Sequence, residues 1–377
     1  MYVPVADLTV VTGGNGSGKS SLYRVLSLLA ATARGEVVPA LAREGGLEST
    51  LWAGPEQISG SMRRGEQPVQ GTVRRGRVAL RIGLGTDDLS YAVDLGLPIP
   101  SGSIFRRDPE IKSEAIWRGP RLRPAVLLSE RRGPTVRCRR PDGSWDVLPA
   151  RLAPFDSMLT EVADPRAAPE VLALRESLRS WRFYDQIRTD VGSPARARSV
   201  GTRTSALAPD GRDLAAALAT IDEIGGAEQL GAAIDEAFPG TTIRIVDRDG
   251  VFDLLLRQPG LLRPLSAAEL SDGTLRYLVW VAALLSPRPP AFLVLNEPEN
   301  SLHPDLLPAL ARLAAAVAGR GAVMLVSHSG PLLAAVRSAA DDAGVELGVV
   351  RLVKEMGETR VEGQGPFEAS AWAWPKR

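Results

Sequence analysis

The sequence of 377 residues is poor in three residue types that often carry chemistry: it has one cysteine, two histidines and four lysines. The single cysteine, Cys138, excludes an intrachain disulfide and a cysteine-based metal framework, and it fits a reducing compartment. Long apolar runs are also missing, because the longest, Leu278 to Leu285, is far shorter than a membrane-spanning helix requires. We therefore expect a cytoplasmic protein with no membrane partner.

Sustained heptads are absent between residues 20 and 270, which excludes long coiled-coil arms. Internal repeats and low-complexity segments are absent as well. With 44% hydrophobic and 24% charged residues, the chain is long enough for one large or two ordinary globular units. We expect these units to be divided by insertion rather than by linkers.

The scarcity of lysine makes the position of Lys19 informative. It lies in a glycine-rich run between an apolar segment and a helical pattern, Gly13-Gly14-Asn15-Gly16-Ser17-Gly18-Lys19-Ser20. The spacing G-x-x-x-x-G-K-[ST] predicts a strand, a phosphate loop and a helix. Backbone N–H groups of such a loop converge on phosphate oxygens, the lysine reaches the β- and γ-phosphates, and the Ser20 hydroxyl ligates Mg²⁺. A plain glycine-rich turn is the alternative, but we assign Gly13 through Ser21 to ATP binding.

A second polar element opens the longest apolar run. Ser271, Asp272 and Gly273 precede a helix that the pattern extends to Leu285. A helix start with a free serine hydroxyl and a glycine amide predicts an anion site, although an ordinary N-cap has the same sequence.

Two apolar runs typical of buried strands follow, and both end in polar residues. Glu297 comes after Ala291 to Asn296, and His328 comes shortly after Ala322 to Val326. Nucleoside triphosphatases place a Mg²⁺-associated acid and a water-activating glutamate after such a strand, and parallel sheets bind ligands at the carboxyl ends of their strands. We therefore predict that Glu297 and His328 are catalytic. For the other histidine, His303, structural and functional interpretations both stay open.

In order and spacing these elements resemble the ATP-binding-cassette ATPases, in particular the branch with RecF, the SMC heads and the stand-alone AAA-type predicted ATPases of bacteria. The phosphate loop resembles their Walker A motif, and Leu270 to Arg276 resembles their signature motif. Phe292 to Glu297 resembles Walker B with its catalytic glutamate, Ser301 to His303 the D-loop, and His328 the switch histidine. A transporter cassette is disfavoured, because its signature would read Leu-Ser-Gly-Gly-Gln.

The resemblance implies an ATP-dependent homodimer in which Ser271, Asp272 and Gly273 of one copy cap the γ-phosphate bound by the other. One position departs from the family, since residue 296 is Asn where most relatives carry Asp. A negative charge beside the Mg²⁺ shell is then missing, although an amide still accepts a hydrogen bond from a metal-bound water. Slow hydrolysis is one consequence. The family's Q-loop is not assigned; Gln186 is one candidate.

Between the motifs, alternation and turn residues predict three β-hairpins. Their turns lie at Thr86-Asp87-Asp88, at Pro141 to Ser144 and at Asp249-Gly250. Helical spacing is predicted for residues 21–33, 169–184, 213–224 and 227–238.

The segment from Ile104 to Arg151 is dense in arginine, with ten between residues 106 and 140. One interpretation is a phosphate-contacting surface for nucleic acid. The other is a solvated face in a chain whose basic residues are nearly all arginine. Aromatic residues are few in this segment, which favours the second interpretation.

The predicted fold class is α/β: a P-loop NTPase with an ABC-ATPase-like head, a mixed central sheet, an antiparallel β subdomain and a helical insert. Residues 1–377 would form a single head with three lobes: 1–151 with Walker A and the arginine-rich insert, 152–275 ending in the signature motif, and 276–377 with Walker B, D-loop and switch histidine. The predicted function is an ATPase that uses ATP and Mg²⁺, dimerises, and acts on DNA or a partner protein in repair or phage defence. A nucleotide-gated clamp with little hydrolysis is the alternative.

Overall fold

A computed structural model describes residues 1–51, 54, 60–64, 66, 78–100, 102–185 and 187–364. Gln186, the Q-loop candidate, lies outside the described residues. The strands are β1 (Leu8–Gly13), β2 (Ala79–Leu84), β3 (Leu89–Gly96), β4 (Glu110–Arg118), β5 (Leu127–Arg132), β6 (Thr135–Arg139), β7 (Trp145–Arg151), β8 (Arg182–Tyr184), β9 (Ser199–Val200), β10 (Thr242–Arg248), β11 (Val251–Arg257), β12 (Leu265–Ser266), β13 (Phe292–Asn296), β14 (Ala322–Val326), β15 (Leu347–Glu355) and β16 (Glu358–Val361).

The helices are α1 (Lys19–Thr32), α2 (Val37–Arg43), α3 (Leu47–Thr50), α4 (Gly60–Arg63), α5 (Met158–Glu161), α6 (Pro169–Ser180), α7 (Leu214–Ile221), α8 (Ala227–Ala237), α9 (Asp272–Leu284), α10 (Leu307–Val317) and α11 (Gly330–Ala343). They are grouped in part, with α1 to α4 between β1 and β2. Among the described residues the longest helices have 14 residues, α1 and α11, and no helix there has the length and apolarity needed to cross a membrane.

The chain forms two compact units that are interleaved in sequence. The parallel unit comprises Val3–Asn15 and Trp181–Leu352, and the antiparallel unit comprises the described residues of Met1–Tyr2, Gly16–Ser180 and the segment from Val353. The three predicted lobes, 1–151, 152–275 and 276–377, have boundaries that differ from those of these two compact units, and they remain a prediction.

The parallel unit is built around a sheet in the order β15-β1-β14-β13-β8, in which every neighbouring pair is parallel. Strands β13 and β14 are almost wholly buried, as continuous apolar runs in a parallel sheet should be. Helix α9 is buried on all sides from Leu275 to Leu284. Two of its large polar side chains still find partners, because Tyr277 Oη donates to the Ala233 carbonyl and Trp280 Nε1 to the Pro298 carbonyl.

Strand β8 was not predicted. The sequence pattern predicts one helix from Pro169 to Tyr184, but α6 ends at Ser180 and Arg182–Tyr184 pairs with β13 at the edge of the parallel sheet. The prediction was wrong because the apolar residues Trp181 and Tyr184 continue the helical spacing of α6. In the structure Trp181 packs edge-on against Phe292 of β13, with 4.9 Å between the ring centroids.

The antiparallel unit contains a six-stranded meander in the order β2-β3-β4-β5-β6-β7. Its first and last hairpins, β2–β3 and β6–β7, confirm two of the predicted turns, and β10–β11 in the parallel unit confirms the third. The predicted α/β fold class with parallel and antiparallel sheets is confirmed.

Much of the arginine-dense segment is neutralised within the antiparallel unit. Five of its arginines form ion pairs with acidic residues of that unit: Arg107, Arg131, Arg132, Arg137 and Arg140. Arg131 is fully buried and pairs with the equally buried Glu114. These ion pairs count against the interpretation of the segment as a phosphate-contacting surface, and the burial of Arg131 shows that the alternative, a solvated face, does not hold for every arginine in it.

Candidate nucleotide-binding and catalytic site

The predicted phosphate loop connects the end of β1 to the start of α1. Gly16 and Gly18 have φ values of 76° and 107°, in the left-handed region that favours glycine. A Cβ atom at residue 18 would also collide with the side chain of Thr359. Gly18 is the N-cap of α1 and supplies no side chain to its first amides, and the first turn of α1 has no acidic residue. The loop therefore presents backbone N–H groups and the positive end of a helix dipole.

These residues fit a bound triphosphate. The Ser17 hydroxyl is buried, yet it has no hydrogen-bond partner among the described residues. A buried hydroxyl is costly to leave unpaired, so a polar ligand at the loop would remove that cost. The Ser20 residue is exposed and its hydroxyl is of the type that ligates Mg²⁺. The assignment of Gly13 through Ser21 to ATP, with Lys19 on the phosphates and Ser20 on the metal, remains a prediction.

Within the parallel unit, three strand ends meet at one edge of the sheet. Val326 of β14 pairs with Val11 of β1 and with Asn296 of β13. Just beyond, the Ser327 amide donates to the Val11 carbonyl at 2.9 Å, and the Glu297 amide donates to the Val326 carbonyl at 2.7 Å. The start of the phosphate loop and the predicted catalytic residues therefore share one sheet edge, where parallel sheets bind ligands.

Glu297, Glu299 and His328 form a polar cluster at this edge. The Glu297 carboxylate is in close contact with His328 Nδ1, and Glu299 Oε1 lies 3.8 Å from the same nitrogen. The backbone of Glu297 has φ 47°, a conformation that costs a non-glycine residue about 1 kcal/mol or more. The turn after β13 holds this strain and turns the carboxylate toward His328.

The surroundings of Glu299 raise the pKa of its carboxyl group. Burial raises the pKa of Glu299, and the nearby Glu297 carboxylate raises it further, although the Ser327 hydroxyl that donates to Glu299 and the His328 ring act in the opposite direction. One buried carboxylate oxygen, Glu299 Oε2, makes no hydrogen bond within the described chain. The ligand atoms of Glu297, Glu299 and His328 all lie within 4.8 Å of one another, so the cluster could also hold a metal ion. Strained, incompletely paired groups of this kind are typical of functional sites.

Asn296, the last residue of β13, is hydrogen-bonded to a residue that the sequence did not single out. Its Nδ2 donates to Asp185 Oδ1 at 2.7 Å. Asp185 directly follows β8, the strand that was interpreted as part of a helix. The signal that could have found it is the Arg182–Tyr184 run followed by an acidic residue, which repeats the pattern of a strand ending in a polar group.

The start of the predicted signature helix α9 differs from the expectation in one respect. The hydroxyl of Ser271, expected to be free, is the N-cap: it accepts from the Thr274 amide at 3.1 Å. Asp272 is also engaged, because its Oδ1 accepts from Arg196 Nη2 at 2.7 Å. Gly273 lies close to the D-loop segment, since a Cβ there would come within 2.9 Å of the Ser301 carbonyl oxygen. The assignment of Ser271, Asp272 and Gly273 to a phosphate remains a prediction.

Arg196 is a second residue that sequence reasoning missed. Its guanidinium, 9% exposed, donates to the carbonyls of Ala267, Ala268 and Leu270 on the approach to α9 and to those of Thr189 and Asp190. It therefore fixes the segment that leads into α9, where the signature motif is predicted. One arginine among 41 gives no signal of such a role.

His303 has a capping role in the structure. Its Nδ1 accepts from the Asp305 amide at 3.4 Å, at the start of the short helical turn Pro304–Leu306, and its side chain is exposed. This geometry favours the structural interpretation of His303 over the functional one.

Comparisons with known proteins agree with this geometry at the level of the family. The model of the family described as "AAA domain, putative AbiEii toxin, Type IV TA system" matches residues 8–335. No curated protein matches the chain.

Several solved structures are similar to the chain. They include an SMC head bound to the C-terminal winged-helix domain of ScpA (TM-score 0.49, 12% identity, 97% of this chain and 94% of that one), the SMC head domain from Thermotoga maritima (0.41, 13%, 95% and 91%), and the SMC head domain from Pyrococcus furiosus bound to the C-terminal domain of ScpA (0.46, 12%, 95% and 90%). The family assignment rests on the sequence match alone. The chain belongs to this AAA-domain family and is a P-loop protein of the ABC/AAA ATPase type.

Proposed function

We propose that the protein binds ATP with Mg²⁺ and hydrolyses it. The observation that carries the proposal is the contact between Glu297 and His328 at the sheet edge where the phosphate loop begins. A carboxylate beside a histidine can orient or deprotonate an attacking water, and phosphoryl transfer needs little more than that and charge stabilisation.

Each predicted residue then has a defined task. The loop amides and Lys19 hold the phosphates, and the Ser20 hydroxyl holds the metal ion, which when bound neutralises charge on the β- and γ-phosphates. Glu297 orients or deprotonates the water, and His328 contacts the γ-phosphate. In support, the buried Ser17 hydroxyl lacks a partner within the described chain, as expected for a loop that closes around a polar ligand.

The proposal extends to a homodimer. The start of α9, with Ser271, Asp272 and Gly273, would cap the γ-phosphate bound by a second copy, so that two ATP molecules hold a head-to-tail pair. The dimer would act on DNA or on a partner protein, in repair or phage defence. ATPase assays with and without DNA at two salt concentrations separate these partners, because stimulation through phosphate contacts fades as salt rises.

Lys19→Ala tests the nucleotide site directly. Removal of a charge-assisted contact of about 1.5–3 kcal/mol weakens ATP binding roughly 10- to 100-fold, which titration with a fluorescent ATP analogue measures. Lys112→Ala is the matched control, because Lys112 pairs with Glu110 in β4 and is not in the loop. Wild-type affinity in Lys19→Ala would overturn the assignment of the loop.

A nucleotide-gated clamp that barely hydrolyses ATP is the second candidate. It is favoured by Asn296, which places an amide where ATPases of this type carry a Walker B aspartate. Measurement of the ATPase rate and of ATP-dependent dimer formation in the same preparation separates the two. Dimers that form fully while turnover stays near background would favour the clamp.

A further inference from the structure

Strands β8 and β13 end at the same level of the sheet. They are parallel neighbours, and the last pair in their register is Leu295 with Tyr184. The residue after Leu295 is Asn296, and the residue after Tyr184 is Asp185. The side chains of these two residues are hydrogen-bonded to each other, directly beyond the last backbone pair of the two strands. An acidic side chain thus lies beside the position where a Walker B aspartate is missing.

The chemistry of the contact fixes the amide of Asn296. An ionised carboxylate offers only acceptors, so the amide nitrogen must face Asp185 and the amide oxygen must face away from it. An amide oxygen held in this way can accept from a metal-bound water. The carboxylate adds the negative charge that the amide lacks, 2.7 Å from the amide nitrogen.

The strand that precedes Asp185 is anchored by its neighbours. Tyr184 is buried, its Oη donates to the Leu207 carbonyl at 2.8 Å, and its ring packs edge-on against Trp280 of α9. Trp181, at the other end of β8, packs against Phe292. A carboxylate that follows such an anchored strand has a defined position even though Asp185 itself is exposed.

We propose that Asp185 supplies the negative charge of the Mg²⁺ site that Asn296 does not, and that it holds the Asn296 amide with its oxygen directed to the water shell of the metal. The chain would then divide the work of one Walker B aspartate between two residues on neighbouring strands. Asp185 is a positioning residue in this scheme. The inference rests on the proposed ATP–Mg²⁺ function.

Exchange of the carboxylate and the amide between residues 185 and 296 tests this inference. The readout is nucleotide affinity rather than ATP hydrolysis. The affinity for a fluorescent ATP analogue is measured as Mg²⁺ is raised from zero, for wild type, Asp185→Asn, Asn296→Asp and the double variant. Loss of a group that supports a metal ligand typically weakens metal binding about 10- to 100-fold. Asp185→Asn should therefore raise the Mg²⁺ concentration needed for half-maximal tightening by that factor and leave the affinity without Mg²⁺ unchanged.

The double variant should return the Mg²⁺ requirement to that of wild type, because it restores one carboxylate and one amide with their positions exchanged. Asp190→Asn is the matched control, since Asp190 lies five residues further on and pairs with Arg188 at the surface. Its Mg²⁺ requirement should equal that of wild type.

An unchanged Mg²⁺ requirement in Asp185→Asn would overturn the inference, as would a double variant as weak as Asp185→Asn. Affinity lost equally with and without Mg²⁺ would also overturn it, because Asp185 would then act on the nucleotide and not on the metal. Failure of the proposed function looks different: wild type itself would bind no nucleotide at any Mg²⁺ concentration.

Discussion

Two groups of charged side chains in this protein differ in how completely their polar atoms are hydrogen-bonded. In the antiparallel unit, Glu114 and Arg131 are both fully buried, and their polar atoms have partners on every side. Glu114 accepts from Tyr91 Oη, Ser157 Oγ, the Met158 amide and Arg131 Nη1. Arg131 donates in addition to the carbonyls of Gly133, Ala153 and Asp156. In the parallel unit, by contrast, Glu299 Oε2 is buried and makes no hydrogen bond within the described chain.

The difference teaches what each group is for. A buried ion pair with complete hydrogen bonding connects strands β4 and β5 to the segment around residues 153–158 and leaves nothing for a ligand to satisfy. The Glu297–Glu299–His328 cluster instead combines backbone strain, two neighbouring carboxylates and one buried acceptor, Glu299 Oε2, that makes no hydrogen bond within the described chain. Such a group costs stability and has capacity to bind, which is the signature of a functional site.

Glu297→Gln gives the largest expected effect. Removal of the group that orients or deprotonates water should lower the ATP hydrolysis rate by about 10²–10⁴-fold. Unfolding free energy should change little, because glutamine keeps the size of a side chain that is partly exposed. The ATP-bound dimer should accumulate, which light scattering during size-exclusion chromatography with ATP and Mg²⁺ measures. Glu223→Gln, an exposed glutamate, is the control. A rate close to wild type, or elution as a monomer, contradicts the catalytic assignment.

Arg131→Met should produce the next largest effect, on folding rather than on chemistry. It leaves the Glu114 carboxylate buried without its cation, which should lower the free energy of unfolding by about 3–5 kcal/mol in denaturant titrations. Arg132→Met is the control at the adjacent residue, where an exposed guanidinium pairs with Glu130 and contributes about 0–1 kcal/mol.

A double variant, Glu114→Gln with Arg131→Met, sharpens this test. It removes both charges, so much of the lost stability should return. If Arg131→Met has the same free energy of unfolding as Arg132→Met, the buried Glu114–Arg131 pair has no structural role. The contrast with the Glu297–Glu299–His328 cluster then fails.

Uninterrupted apolar runs in the sequence predicted the strands that surround the site. Apolar runs ending in Gly13, Asn296 and Val326 predicted three strands, and the structure pairs them in parallel. Features that depend on distant residues were not predictable. Asn296 and Asp185 are 111 residues apart, and their contact exists only because β8 joins the sheet.

Side-chain roles were the hardest to read from sequence. The Ser271 hydroxyl is used by its own helix, since a serine at this position can cap the helix or bind an anion with the same sequence. Likewise, the ten arginines between residues 106 and 140 gave no indication that Arg131 is the buried one, because burial is decided by strands β4 and β5 together.

Glu299→Gln tests the comparison through its smallest expected effect, a gain in stability. Burial raises the pKa of Glu299 above its ordinary value of 4.5, so the folded protein binds this proton more tightly than the unfolded chain does. The contribution of Glu299 to stability is therefore fully present below pH 4.5 and is lost as pH rises through the folded-state pKa.

Glutamine keeps the acceptor for Ser327 and does not ionise. The variant should match wild type at pH 4 and melt about 1–2 °C higher at pH 8, since ~1 kcal/mol corresponds to ~1 °C in a chain of this length. Scanning calorimetry at the two pH values measures this, and a difference that is the same at both would show that ionisation of Glu299 carries no cost.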